Sequence, residues 1–116
     1  MQTPDFLPDV EAEIRFLSTN EGGRSEPVRS GYRPQIYYGG HDWVVVQEYP
    51  DTEWVFPGET VFARLWFLSP DEHDGNVVEG MSFEVREGRR IVAVGQITKI
   101  VNLSASASNS RRRKAD

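Results

Sequence analysis

Cysteine is absent from this 116-residue chain, and histidine occurs only as His41 and His73. The first absence excludes disulfides and thiolate metal sites, and two imidazoles do not suffice for a structural zinc centre. A reducing, cytoplasmic setting fits that composition. No run approaches the roughly 18 consecutive apolar residues that a membrane-spanning helix needs. The amino terminus, MQTPDFLPDVEAE, has no basic stretch followed by an apolar one. The expectation is a soluble, unsecreted protein with no membrane partner. A sustained helical period is missing too, and the length suits one domain with one modest core.

Positive charge is scarce and concentrated. The formal net charge is -5, but Arg111, Arg112, Arg113 and Lys114 hold four of the 13 basic residues. Residues 1–110 are left with nine basic against 17 acidic side chains. So acidic a body cannot hold nucleic acid by bulk electrostatics, which requires a basic face to displace phosphate counterions. Any such contact must be local.

What is present is strand patterning. Val10, Ala12, Ile14 and Phe16 alternate with charged residues, and Val61, Ala63, Leu65 and Phe67, then Met81, Phe83 and Val85, repeat the period of two. Residues 32–38, 43–49 and 91–101 are rich in β-branched and aromatic side chains. Gly22-Gly23, Gly39-Gly40, Pro57-Gly58 and Glu87-Gly88 fall between these runs as turns. About six short strands so separated suggest an all-β antiparallel barrel or sandwich, and closure would remove exposed sheet edges. The segment DEHDGNVVEG reads as a long acidic loop without the ligand spacing of a calcium loop, so no metal is assigned. The divisions expected are an N-terminal extension at 1–9, a barrel at 10–103 and a disordered basic tail at 104–116.

The ordered series EAEIRFLS, EGGR, GYRPQIYY, PGE, FEVREGRR and VGQITKI resembles the C-terminal β-barrel, domain III, of elongation factor Tu. The resemblance runs from about Val10 to Val101 and implies a six-stranded antiparallel barrel. The phosphate loop GxxxxGK[ST] of the family's GTPase domain occurs nowhere in the sequence, so no nucleotide is expected to bind this chain. In the family, domain III grips the T-stem of aminoacyl-tRNA, packs on the GTPase domain and meets the exchange factor.

Carried over by position, the T-stem contacts implied are Arg24, Gln35, Glu87 and Gly88. An arginine suits a phosphate, while Gln and Glu suit ribose hydroxyls and base edges of the shallow A-form groove. Other family contacts are replaced by Ser25, Val44 and Ser69, and RTTDVTG has become GGHDWVV. Ser82 and Glu84 stand in MSFEV where the family has arginine and alanine on the face toward its GTPase domain. A carboxylate there needs a partner charge or water.

Arg24, Arg33, Arg86, Arg89 and Arg90 form one basic patch if their segments meet, or else pair with neighbouring carboxylates as ordinary surface ion pairs. The RNA-contact set read from the sequence is therefore Arg24, Arg33, Gln35, Glu87, Gly88 and Arg90. Ser18, His41 and Asp42 can be written as a triad, but no nucleophile elbow accompanies them, and neither an enzyme nor a cofactor is expected. On the strand from Val61, the alternation turns Phe62, Arg64, Trp66 and Leu68 outward. This predicts an apolar docking face of Phe62, Arg64 and Trp66 for a translation-factor partner or a homodimer, unless the tail or a loop covers it. Two readings follow: a translation-linked module that binds tRNA, and a protein-interaction module or decoy.

Overall fold

The computed structural model describes residues 3–115. Six strands, β1 (Val10–Phe16), β2 (Gln35–Tyr38), β3 (His41–Glu48), β4 (Thr60–Phe67), β5 (Ser82–Glu87) and β6 (Arg90–Ile100), close into an antiparallel barrel. The order around the barrel is β1-β4-β3-β2-β5-β6, and β6 returns to β1. A C-terminal helix, α1, spans Leu103–Ala115.

The alternation in the sequence becomes the barrel's inside and outside. Val10, Ala12 and Ile14 face Leu65, Ala63 and Val61 across the β1–β4 ladder, and all six are buried. Ile36, Val45, Phe83, Val85 and Ile97 complete the interior from the other strands. Each such branched side chain contributes about 1.5–3 kcal/mol by leaving water. The β2–β3 hairpin closes at the Tyr38–His41 pair through Gly39 and Gly40, with φ of 59° and 83°. A two-residue hairpin turn with positive φ at both positions follows the natural twist of the strands. The β2 ladder starts at Gln35 rather than Tyr32 because Pro34 has no N–H to donate. Tyr32 keeps a single bridge to Gln47.

Two expectations are corrected. The expected disordered tail at 104–116 is, over its described residues, ordered: Leu103–Ala115 form α1, with Leu103 and Ala107, one helical turn apart, buried on its inner side, and position 116 lies outside the described residues. Lys114 and Arg111 reach Asp71 and Asp74 at 2.5 and 3.5 Å, and the Ser110 and Ser104 hydroxyls donate to the same carboxylates at 2.9 and 3.1 Å. Cations in the last turn also favour the helix dipole. A segment with no strand period thus becomes a helix once an acidic loop receives it.

The second correction concerns the outer aromatic face. Val61, Ala63, Leu65 and Phe67 do point inward, but Trp66 on the outside is only 5 % exposed. Its indole N–H donates to the Phe6 carbonyl at 3.2 Å, so the N-terminal segment lies over the ring. Val46, its register partner on β3, is buried beside it. Phe62 is half-buried, and Arg64 is paired with Glu48 at 3.2 Å. The three residues do not form an open docking face. The segment before β1 is tied to the barrel as well: the Asp9 carboxylate accepts the Phe67 amide at 2.7 Å, and its carbonyl accepts those of Val101 and Asn102 at 2.9 and 3.2 Å.

The acidic loop also has an interior. His73 is fully buried, stacked on Phe67 at 3.9 Å between ring centroids and edge-on to Trp43 at 4.6 Å. Its Nδ1 lies 2.5 Å from the Tyr38 hydroxyl. Burial pushes its pKa down to about 4, against the opposing pull of Asp71.

Candidate nucleic-acid interface

The Gly22-Gly23 loop is built by its own sequence. Ser18 caps a short 3-10 turn, Thr19–Glu21: the Glu21 amide donates to the Ser18 hydroxyl at 3.2 Å, and the Ser18 amide donates to the Glu21 carboxylate at 2.9 Å. Gly22 then turns the chain with φ of 92°. Gly23 follows in close quarters, where a Cβ would stand 2.2 Å from the Leu17 carbonyl oxygen. Only glycine fits at that distance, and the next residue delivered is Arg24.

Arg24 forms an ion pair with Glu87, at the end of β5. Its guanidinium also donates to the Glu26 carbonyl at 3.1 Å and lies 5.4 Å from the centroid of the Tyr32 ring. The Tyr32 hydroxyl donates to the same Glu87 carboxylate at 2.6 Å. Burial, then the Glu87 charge, pushes the Tyr32 pKa up, so the phenol stays a donor. Arg90, across the β5–β6 turn, donates to the carbonyls of Gly22 and Gly23. Gly88 sits exposed between them in that turn with φ of 62°. Residues more than 60 positions apart are thereby held together at one end of the barrel.

Gln35 joins this group through the sheet. It lies opposite Arg86 on β5 and opposite Val44 on β3, half-buried on the barrel's outer side. Its side-chain amide makes no hydrogen bond among the described residues, which leaves a donor and an acceptor facing outward. Arg86 is committed elsewhere, bonded to Glu84 at 2.7 Å and placed over the Tyr37 ring at 3.7 Å. The Glu84 carboxylate thus has a partner charge. It borders a shallow groove of about 680 Å³ shared with Ser82, Tyr37, Gln96 and Arg15.

Of the six residues expected to contact RNA, the structure brings Arg24, Glu87, Gly88 and Arg90 together and sets Gln35 on the adjoining strand. Arg33 is different. It is exposed beyond the start of β2 and lines a groove shared with Arg113 of α1, not the Arg24–Glu87 cluster. The five-arginine patch is therefore divided, and Arg24 and Arg86 each carry a carboxylate partner. Tyr32 and Tyr37, which orient Glu87 and Arg86, are absent from the sequence-derived set. The signal that could have found them was the density of aromatics in GYRPQIYY next to arginine-rich segments.

Residues 5–101 match the elongation factor Tu C-terminal domain, a span that takes in all six strands and stops before α1, and the chain belongs to that family.

Proposed function

We propose that this barrel is a non-catalytic, cytoplasmic binding module of the translation apparatus that contacts the T-stem of tRNA. The carrying observation is the convergence of Arg24, Glu87 and Gly88 beside the unbonded amide of Gln35. A carboxylate already oriented by Arg24 and Tyr32 keeps lone pairs for a ribose hydroxyl, and the Gln35 amide both donates and accepts. Groups of that kind suit the wide A-form minor groove, where hydroxyls and base edges are the readable features. Arg90 and Arg24 fix the loops, so little order remains to be gained on binding. The protein-interaction reading loses its main support with the covering of Trp66 by the N-terminal segment.

The test is equilibrium binding of tRNA, with a DNA duplex of the same stem sequence as competitor. Gln35→Ala leaves no intramolecular hydrogen bond broken, and losing one contact should weaken tRNA binding by roughly 2- to 12-fold. The DNA stem, lacking 2′-hydroxyls, should compete poorly. Absence of measurable tRNA binding, or equal competition by DNA, would overturn the T-stem reading.

A further inference from the structure

The four basic residues that end the chain are not equivalent once α1 is docked. Lys114 and Arg111 are engaged by Asp71 and Asp74, and with the Ser104 and Ser110 hydroxyls they fix the helix against the loop. Arg113 then borders a groove of about 430 Å³ between α1, the N-terminal segment and the outer face of β3 and β4. Arg33 lines the same groove. Among the described residues, neither Arg33 nor Arg113 has a carboxylate within ion-pair distance. Asp9 is the one carboxylate in the lining. Its Oδ2 accepts the Phe67 amide, its Oδ1 is buried without a hydrogen bond, and it is only 2 % exposed. Asn109 and Ser110 add polar groups along the helix side.

In a chain with net charge -5, two exposed guanidiniums lining one groove, neither held in an ion pair among the described residues, offer local positive charge to an external anion. Continuity indicates which one. Arg33 precedes Gln35 by two residues on the outward side of the same segment, roughly 7 Å along it. We infer that Arg33 and Arg113 clamp the sugar–phosphate backbone of an RNA strand that continues from the Gln35 face. This rests on the RNA reading above. Arg113 lies outside the span shared with the family, so the clamp would be an addition made by the tail helix. The acidic loop would serve it by holding α1 in position.

The experiment is tRNA binding measured against salt concentration. The variants are Arg33→Ala/Arg113→Ala, a charge-matched control, Lys99→Ala/Arg112→Ala, and Gln35→Ala, each checked for folding by circular dichroism. Losing two phosphate contacts should lower the magnitude of the slope of log K against log salt by about 1.4–1.8. The control should lower it by clearly less. An equal effect of the control would mean diffuse charge and overturn the clamp. Unchanged binding by Arg33→Ala/Arg113→Ala with weakened binding by Gln35→Ala would overturn the clamp and leave the T-stem reading standing. If poly-glutamate displaces tRNA from the groove with equal affinity, the occupant is an acidic polypeptide and the RNA assignment is wrong. No tRNA binding by the unaltered protein would remove both readings.

Discussion

At the residue scale, His73 carries a pH dependence. Its ring is buried among Phe67, Trp43 and Tyr38, and its pKa falls to about 4 because burial disfavours the charged form. The unfolded chain takes up that proton near pH 6.5 and the native one only near pH 4. The stability conferred by neutral His73 is therefore full above pH 6.5 and is lost as pH falls from 6.5 towards 4. Across that window the loss approaches about 3 kcal/mol. Asp71 favours the charged ring and reduces the effect. Asp9 acts in the opposite direction: burial raises its pKa against the bond from the Phe67 amide, so protonating it on acidification relieves the native state. His73→Phe keeps the stacking and removes the titration. Urea unfolding at pH 7, 6, 5 and 4 should show a steeper decline for the natural sequence than for the variant, and parallel declines would contradict this account.

Trp66 is the residue where sequence patterning was right and the conclusion was not. Period-two alternation assigned it to the outer side, which is where it lies. Alternation says which face of a sheet a side chain leaves from but nothing about what else covers that face. The cover comes from residues 3–8, TPDFLP, a segment without periodicity, and the indole N–H of Trp66 donates to the Phe6 carbonyl within it. Truncation to Trp66→Ala should cost about 3 kcal/mol, the low end for emptying a large aromatic site. Chemical denaturation measures this directly, and a change within about 0.5 kcal/mol, typical of an exposed position, would show that the ring is not packed.

At the element scale, strands and turns were legible because their determinants are local: alternation, glycine pairs, and a proline that blocks a ladder bond. Helix α1 was not. SASASNSRRRKAD has little apolar surface and intrinsically weak helix formers in serine and asparagine. Its order comes from Leu103 and Ala107 beneath it and from two aspartates some 40 residues earlier, a pairing no local window contains. The same holds for the candidate site. Arg24, Glu87, Gly88 and Gln35 could be carried over by position from the resemblance, whereas the separation of Arg33 from them depended on where α1 docks. Ending the chain at Asn102 should therefore destabilise the barrel by about 2 kcal/mol, mainly from re-exposing what Leu103 covers. The ion pairs are surface contacts and add little. A truncated chain with unchanged melting temperature would mean that α1 is an ornament on the fold.

At the scale of the whole molecule, closure is the governing feature. β6 runs 11 residues and pairs with both β5 and β1, so no strand is an edge that can fray alone. A close internal fit on β6 is at Gly95, where a Cβ would lie 2.3 Å from Cζ of the buried Phe83 ring. Relief is restricted on both sides: the Phe83 ring is buried, and the backbone of Gly95 is paired with Ile14 and Phe83 on its two sides. Gly95→Ala should cost about 1–3 kcal/mol through overpacking. In an open sheet that strain would loosen one hairpin. In a closed barrel β5, β6 and β1 cannot separate without breaking the ring, so the loss should be shared by all six strands. Hydrogen exchange should show slow amides of β3 and β4, remote from the substitution, losing protection by the same free energy as those of β5 and β6. Selective loss in the β5–β6 hairpin alone would show that the barrel opens locally and that closure does not make it one cooperative unit.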